Sequence, residues 1–245
     1  MTQTSGFVKG VAAIDGLIKR RRSLAKHPAV FVSDHFKDKS AVSVRIFLLT
    51  LLFALPLGLV ICFGLMSRFR VISVPCNLLV WIVRGTPLML QLISFFYIPG
   101  IIGHNIWGGG EAGRTAATVV AFSLNYACYF AVIYKGGIQG VPVGQREAAQ
   151  VLGLTRSQIF FRVTLLQMIK RIVHPMSNEI ITLVKDTSLA RIIAVYELTF
   201  TGYSFMKSDG IVWPMFYTGV FYLLFVGILT VLFGRLEKRL DYYQG

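Results

Sequence analysis

The sequence has 245 residues, of which 55% are hydrophobic and 15% are charged, and its mean hydropathy is +0.65. This composition is too apolar for a soluble domain of that length, and it leaves no room for a second, soluble catalytic domain. The net charge of +14 could indicate a nucleic-acid partner. However, the cations lie beside apolar segments rather than in an aromatic-rich patch, so we expect a membrane protein and no nucleic acid.

The first 45 residues form a basic extension. They contain nine Lys or Arg residues against three Asp, and four of the cations are consecutive, from Lys19 to Arg22. Their longest apolar run is too short for a cleaved signal peptide, so the first true span would serve as an uncleaved targeting signal. The extension could be an interfacial basic helix, an additional crossing or an exported tail, and the sequence leaves these alternatives open.

Apolar segments long enough to cross a membrane dominate the rest of the chain. A hydrocarbon core of about 30 Å needs roughly 20 residues of helix. We therefore predict an all-α bundle of about five spans over residues 46–240, with a short interfacial helix at 72–83. Pro87 is expected to open the second span, because its missing N–H would be unpaired there anyway. The predicted spans are Ile46–Met66, Pro87–Ile102, Thr115–Tyr134, Ile169–Lys185 and Ile211–Phe233.

A polar, basic loop at about residues 137–168 separates the third and fourth spans. It contains Glu147-Ala148-Ala149, and Gly153 follows four residues later. Two small alanines allow a helix to lie close to a partner surface, and Gly153 can take the positive φ that ends a helix sharply. This pattern predicts a helix-turn-helix that docks on a soluble partner. On the pattern alone, an ordinary charged loop is equally consistent.

The charge distribution gives the orientation of the bundle. With the loop at 137–168 inside the cell, only Arg114 and Lys207 fall in clearly external loops, which agrees with the positive-inside rule. Five spans then place the basic N-terminal extension outside, against the same rule. The cations expected on the cytoplasmic side are Arg68, Arg70, Arg84, Lys135, Arg146, Arg156, Arg162, Lys170, Arg171, Arg235, Lys238 and Arg239.

The fourth predicted span carries a polar stripe. On a helix with 3.6 residues per turn, Asn178 and Lys185 stack two turns apart, as do Glu179 and Asp186, and Thr182 lies between them. Ionisable groups at membrane depth normally face a bundle interior or a cavity. The stripe could therefore line a substrate path, or it could be a network that only holds helices or a dimer together.

Five collinear stretches, from about residue 41 to the C-terminus, resemble the signatures of membrane subunits of polar amino-acid ATP-binding-cassette importers. Glu147-Ala148-Ala149 with Gly153 resembles the coupling loop of that family, and Arg84-Gly85-Thr86-Pro87-Leu88 with Gln91-Leu92 resembles its span-entry motif. The other matching stretches are Gly136-Gly137-Ile138 with Val141-Pro142 and Gly144-Gln145, Asn178-Glu179 with Ile181, and residues 183–189, LVKDTSL.

The resemblance implies a multi-pass permease of a bacterial inner membrane that does no chemistry itself. Its expected partners are ATPase subunits that bind ATP and Mg, a second permease subunit that is identical or homologous, and an extracytoplasmic substrate-binding protein. No cofactor is expected in this chain. Glu147, Ala148, Ala149 and Gly153 would couple to the ATPase. The candidate substrate path comprises Asn125, Tyr126, Asn178, Glu179, Thr182, Lys185 and Asp186.

The sequence also departs from this family. Val132 stands where the family usually has a Glu in the third span. The missing carboxylate leaves open whether this subunit or its partner holds the substrate, and whether the substrate is neutral or acidic. Leu165-Leu166 replaces the Leu-Pro pair that usually ends the coupling loop, so a straighter entry into the fourth span is expected.

Nothing in the sequence indicates an enzyme. The three cysteines and four histidines show no metal-ligand spacing. Residues 108–115, GGGEAGRT, resemble a phosphate-binding loop, but they lack its Lys and follow a span rather than a strand. The alternative function from another class is a membrane scaffold or sensor that docks an ATPase without transporting a substrate.

Overall fold

The computed structural model describes Gly16 and residues 36–240, so most of the basic extension at 1–45 lies outside the described residues. The described part consists of helices and their connecting loops and contains no strand, which confirms the predicted all-α class. A π-helical turn, Phe160–Thr164, precedes α7, and a 3-10 helix, Thr187–Ile193, follows it. The helices are α1 Lys37–Leu65, α2 Arg70–Gly85, α3 Leu88–Ile101, α4 Gly110–Gln139, α5 Val143–Val151, α6 Arg156–Ile159, α7 Leu165–Asp186, α8 Leu198–Asp209 and α9 Trp213–Leu240.

By length and apolar composition, α1, α4 and α9 can each cross a membrane. Helices α2 and α3 together pass the same test as one span broken by a bend of 109°. The predicted fourth span corresponds to α7, whose 22 residues extend about 33 Å. This helix is long enough to cross but too polar to count as a span on composition, because its sequence includes Lys170, Glu179 and Asp186. It packs between α4 and α9, where protein covers part of its polar surface.

Two helix bounds differ from the prediction in an informative way. Helix α1 begins at Lys37 rather than Ile46, since a polar sequence can continue a helix beyond its apolar part. Pro87 is not the first helical residue of α3 but the residue before it, with an extended ψ of 135°. Its carbonyl accepts hydrogen bonds from the N–H groups of Leu90 and Gln91. Helix α2 covers the residues of the predicted interfacial helix, but together with α3 it also passes the test for one broken span.

The centre of the bundle is the contact between α1 and α4. A Cβ atom on Gly58 of α1 would lie 3.0 Å from the Cβ of Phe130 and 3.1 Å from the carbonyl oxygen of Ala127. The absence of a side chain therefore sets how closely the two helices approach. Further along α4, a Cβ on Gly137 would lie 2.3 Å from the Ile172 side chain of α7. Two glycine contacts thus place α4 against both α1 and α7.

The glycine-rich stretch at 108–115 has a structural explanation. A Cβ on Gly113 would lie 2.0 Å from the carbonyl oxygen of Trp107, so only glycine fits where α4 passes the preceding loop. The indole N–H of Trp107 donates to the carbonyl oxygen of Phe95 at 2.7 Å, which fixes the loop against α3. The close approach to Trp107 accounts for Gly113 without a bound phosphate.

Candidate coupling loop and polar cluster

The predicted helix-turn-helix is present between α4 and α7. Helix α5 ends in a turn in which Gly153 has a φ of +76°. The Gly153 N–H donates to the carbonyl oxygen of Gln150 at 2.9 Å, and the Leu154 N–H donates to that of Ala149 at 3.1 Å. These two bonds satisfy carbonyls that the end of α5 leaves free. Gly153 therefore has the left-handed conformation expected from its sequence position.

A capping box starts the second helix of the loop. The Thr155 hydroxyl accepts from the backbone N–H of Gln158, and the Gln158 side chain accepts from the backbone N–H of Thr155 at 2.9 Å. Reciprocal capping satisfies backbone N–H groups at the start of this helical segment, which would otherwise have no intrahelical partner. The loop is thus a defined structure rather than an irregular connection.

The side chains of Glu147, Ala148 and Ala149 face in two directions. Glu147, Ala148 and Gly153 are exposed, whereas only 4% of the Ala149 surface is accessible, because Ala149 packs inside this chain. Successive helical residues point about 100° apart, so adjacent alanines cannot both face a partner. Glu147 and Ala148 are therefore available to a partner. The small side chain of Ala149 instead allows α5 to pack on the loop itself.

A cleft of about 520 Å³ lies beside α5. Its lining includes the charged side chains of Arg146, Glu147 and Arg156, together with Gln150 and Phe160. Charged side chains of both signs and apolar side chains line the same cleft, a mixture that is also found at protein–protein interfaces.

The loop is joined to α7 by both backbone and side-chain contacts. Residues Ile159, Phe160 and Leu165 all have right-handed helical dihedrals, so α6, the π-helical turn and α7 follow one another without a break. In addition, the Gln167 side chain on α7 hydrogen-bonds to the Gln145 side chain on α5. The second helix of the loop is therefore attached directly to the start of α7.

A second set of polar residues surrounds the bend between α2 and α3. The Gln91 amide nitrogen donates to the carbonyl oxygen of Val83 at 2.7 Å, to that of Thr86 at 3.1 Å and to the Thr86 hydroxyl at 2.8 Å. The Gln91 side-chain oxygen accepts from the Asn125 amide of α4 at 3.0 Å. Gln91 thus satisfies backbone carbonyls exposed by the bend and fixes the bend to α4.

The same region connects α4 to α7. The Tyr126 hydroxyl donates to the Asp186 carboxylate at 2.7 Å, and the Arg84 guanidinium lies 5.0 Å from the centre of the Tyr129 ring. Arg84 is also close enough to Glu179 for their opposite charges to interact. We refer to Arg84, Gln91, Asn125, Tyr126, Glu179 and Asp186 as the polar cluster.

The polar stripe of α7 separates into two columns. Asn178 and Lys185 are exposed, and Thr182 lies between them and donates its hydroxyl to the Asn178 backbone oxygen at 3.0 Å. Glu179 and Asp186 are partly buried, about 100° further round the helix. Only the second column belongs to the polar cluster. The alternative of a purely structural network therefore fits Asp186 better than it fits Asn178 or Lys185.

The other predicted residues have simpler surroundings. Val132 is partly buried and packs against the hydrophobic core. Gly85 is exposed at the end of α2, and no atom lies within 4 Å of the position of its missing Cβ. Among the described residues, no group of three or more His, Cys, Asp or Glu side chains could hold a metal ion.

Glu197 was not among the predicted site residues, and its side chain is fully buried. Its carboxylate caps α8, accepting from the backbone N–H groups of Thr199 and Phe200 at 2.6 Å each. Hydroxyls of Ser43 in α1 and Tyr222 in α9 lie 3.4 Å away. Burial raises the pKa of Glu197 to about 7, and the hydrogen bonds from Thr199 and Phe200 partly oppose this shift. The sequence offered one signal for this role, because an acidic residue directly before a helix can cap its N-terminus.

Residues 54–242 match the family described as binding-protein-dependent transport system inner membrane component. The octopine transport system permease protein OccM of Rhizobium radiobacter is 34% identical, over 77% of this chain and 80% of that protein. The L-cystine transport system permease protein TcyB of Bacillus subtilis is 32% identical, over 82% of this chain and 84% of that protein. The arginine transport system permease protein ArtQ of the same organism is 30% identical, over 82% and 90%.

Solved structures with the same fold include a crystal structure of an amino acid ABC transporter with histidines. It superposes with a TM-score of 0.76 at 26% identity, over 89% of this chain and 97% of that chain. An inward-facing structure of the MetNI methionine ABC transporter gives a TM-score of 0.64 at 18% identity, over 86% of this chain. The second similarity concerns the fold alone.

Proposed function

The chain belongs to the family of binding-protein-dependent transport system inner membrane components, and from this premise we propose that it is the permease subunit of an ATP-driven importer of polar amino acids. The observation that carries the proposal is that one continuous helical segment runs from α6, the second helix of the coupling loop, to Glu179 and Asp186 of the polar cluster. A permease needs this connection because a partner's motion must reach the substrate path.

The polar cluster supports an amino acid as the transported substrate. A zwitterion carries an ammonium and a carboxylate close together, and Arg84 and Glu179 offer the opposite charges within one region of the bundle. Relatives named for the transport of octopine, L-cystine and arginine all act on polar amino acids or their derivatives. The exposed column of α7 adds polar side chains beside the polar cluster, namely Asn178, Thr182 and Lys185.

Coupling would begin at the loop and end at the polar cluster. An ATPase subunit that binds ATP and Mg would contact Glu147, Ala148 and the turn at Gly153. Its movement would displace α5, and the Gln145–Gln167 bond would pass that displacement to α7. Helix α7 carries Asp186, which is bonded to Tyr126 of α4. The polar cluster would then rearrange between two packed states with different affinities for the substrate.

The remaining partners follow from the same proposal. A second permease subunit, identical or homologous, would complete the path, and an extracytoplasmic binding protein would deliver the substrate. The assembly would lie in a bacterial inner membrane, with the helix-turn-helix on the cytoplasmic side, as the distribution of Lys and Arg predicts. ATP hydrolysis would occur in the ATPase subunits, and this chain would do no chemistry.

Reconstitution tests the proposal directly. The chain is co-purified with its ATPase and placed in proteoliposomes with the binding protein, and uptake and ATPase activity are measured for a panel of amino acids. We expect a subset of polar amino acids to stimulate both activities. If a stable complex hydrolyses ATP but takes up no amino acid, the scaffold or sensor alternative is correct instead.

A further inference from the structure

The buried carboxylate of Glu197 is bonded to three helices outside the polar cluster. Its two oxygens accept from the backbone N–H groups of Thr199 and Phe200 in α8 at 2.6 Å each. Oε2 also accepts from the hydroxyls of Ser43 in α1 and Tyr222 in α9, each at 3.4 Å. The short backbone bonds fix the carboxyl group at the start of α8. The two longer hydroxyl bonds are therefore the contacts that can change with its charge.

The hydroxyl of Tyr222 has two alternative acceptors. It lies 3.4 Å from Glu197 and also 3.4 Å from the hydroxyl of Thr187, the first residue of the 3-10 helix after α7. The Thr187 hydroxyl already donates to the carbonyl oxygen of Val184 at 2.7 Å, so it can only accept from Tyr222. The Thr199 hydroxyl, at 3.2 Å, can supply its own proton to Tyr222. Because a tyrosine has a single proton to donate, Tyr222 donates either to Glu197 or to Thr187.

The charge of Glu197 selects between these two acceptors. An ionised carboxylate only accepts, and it is the stronger acceptor, so it holds the Tyr222 proton. A protonated carboxyl group donates its own proton to a neighbouring hydroxyl and competes less well for the proton of Tyr222, which then goes to Thr187. Burial raises the pKa of Glu197 to about 7, against the opposing effect of its hydrogen bonds. Both arrangements are therefore populated near neutral pH.

Among the described residues, Tyr222 is the only titratable side chain within hydrogen-bonding distance of the Glu197 carboxylate. Helix α9 carries no charged residue within two turns of Tyr222, and Lys37, Asp38 and Arg45 of α1 are exposed. The neighbouring charged groups with partners of their own are Lys39 over the Tyr196 ring, Arg191 and Lys207 beside the Tyr203 ring, Arg114 on the carbonyl oxygen of Ala194, and Asp186 on the hydroxyl of Tyr126. Burial and hydrogen bonds therefore govern the protonation of Glu197.

This hydrogen-bond network adjoins the polar cluster. Thr187 directly follows Asp186, whose carboxylate accepts from Tyr126 of α4 at 2.7 Å. In the proposed orientation, α7 starts at the cytoplasmic coupling loop and ends at Asp186, so Glu197 lies towards the extracytoplasmic side. A bond from Tyr222 to Thr187 ties this end of α7 to α9. The protonation state of Glu197 is therefore passed to the polar cluster through two hydroxyl groups.

We propose that Glu197 is a positioning residue for transport, which fixes the extracytoplasmic end of α7 through Tyr222 and Thr187 when protonated and releases it when ionised. This role rests on the proposed function, because it requires the polar cluster to line the substrate path. Uptake should therefore rise as the external pH increases through about 7. A single hydrogen bond changes an equilibrium by a factor of roughly two to ten, and the rise in uptake should be of that size.

Uptake by the reconstituted permease–ATPase complex tests this role. The pH is varied on the side of the binding protein and held constant on the side of the ATPase, and the uptake rate is expressed per amount of folded complex. Infrared difference spectra of the same complex follow the carboxyl group without transport. In the wild type, we expect a step in uptake near pH 7 and a carboxyl band that titrates with the same midpoint.

Two variants hold the network in one of its two arrangements. Glu197→Gln carries an amide that donates to Tyr222 as the protonated carboxyl group does. Its uptake should therefore stay at the low, acidic level at every pH, and the titrating carboxyl band should disappear. Tyr222→Phe removes the shared hydroxyl and leaves Thr187 without this partner, so its uptake should stay at the high level at every pH.

Two further variants separate this role from a general effect on folding. Thr187→Val keeps the shape of the side chain but removes the acceptor, so the step in uptake should disappear while the carboxyl band still titrates. Tyr217→Phe is the matched control for Tyr222→Phe. It removes the hydroxyl of an exposed tyrosine in the same helix, whose ring packs on Trp213, and it should keep the wild-type step.

The proposal is overturned if wild-type uptake is the same above and below pH 7, or if Tyr222→Phe keeps the wild-type step. If the Glu197 and Tyr222 variants reduce only the amount of folded complex, and uptake per complex keeps its pH dependence, Glu197 is a structural cap of α8 alone. If the wild type takes up no amino acid at any pH while its carboxyl band still titrates, the proposed function fails, and Glu197 has no role in transport.

Discussion

Replacing Gly153 with valine tests whether the turn conformation is needed for coupling. Gly153 has a φ of +76°, and no atom lies within 4 Å of where its Cβ would be. The substitution therefore causes no clash with neighbouring residues, and its cost comes from the backbone alone. A left-handed conformation costs a residue other than glycine about 1–2 kcal/mol, and a β-branched residue is among the least tolerant.

That cost corresponds to a population change of roughly 5- to 30-fold. We expect the affinity of the chain for its ATPase, measured by titration of the purified subunits, to fall by about this factor. Amino-acid uptake in proteoliposomes should fall with it, while the amount of chain inserted in the membrane stays constant.

Two matched variants isolate the backbone as the cause. Gly153→Asn should retain most of the affinity, because asparagine tolerates the left-handed conformation. Gly144→Ala changes a glycine of α5 that also has free space around it, and it should be neutral or slightly stabilising, because alanine favours a helix. Wild-type affinity and uptake in Gly153→Val would refute the reasoning. If Gly153→Asn lowers the affinity as much as Gly153→Val does, a direct contact between this position and the ATPase matters instead of the backbone conformation.

Three other predictions concern the polar cluster, the buried carboxyl group and the orientation. Tyr126→Phe removes the donor to Asp186 and should lower the stability of the complex by about 1.5–3 kcal/mol, seen as a lower thermal midpoint; an unchanged midpoint would contradict a structural role for this bond. The pKa of Glu197 is raised from 4.5 to about 7. Between these two pH values the folded chain keeps a proton on Glu197 that the unfolded chain has lost, so stability should fall as the pH rises from 4.5 to about 7, by up to about 3 kcal/mol in total. Thermal melts should show this loss in the native chain and not in Glu197→Gln, and equal slopes would contradict it. A cysteine at Gly109 should react with an impermeant reagent from outside, whereas one at Gln150 should not, and the reverse labelling would invert the topology.

Local sequence was sufficient to predict the structure at positions where a single residue determines the backbone conformation. The positive φ of Gly153 and the end of α5 could be predicted from the glycine, because glycine takes that conformation at the lowest cost. The apolar length of α1 and α4 similarly predicted their existence, although both helices extend further than predicted. Helix ends depend on capping contacts and on polar sequence that hydropathy does not register.

Contacts between distant residues were not accessible from the sequence. Gln91 was recognised only as part of a motif, since its bonds to Val83 and Asn125 exist only because the chain bends by 109° between α2 and α3. The different roles of Ala148 and Ala149 likewise depend on which side of α5 packs against the loop. Spacing on a helix shows that two residues differ in direction, but not which of them faces inward.

The bend between α2 and α3 constrains which molecules can surround this side of the bundle. The two helices together are long and apolar enough for one broken span or a re-entrant loop, and Arg84, Gly85 and Thr86 are exposed at the break. Hydrocarbon tails cannot solvate free backbone groups, so irregular backbone at membrane depth must be covered by protein or by water. A photoreactive probe confined to the acyl region should therefore label α9 heavily and leave residues 84–87 unlabelled. The outer face of α9 should therefore contact hydrocarbon, whereas the break between α2 and α3 should contact only protein or water.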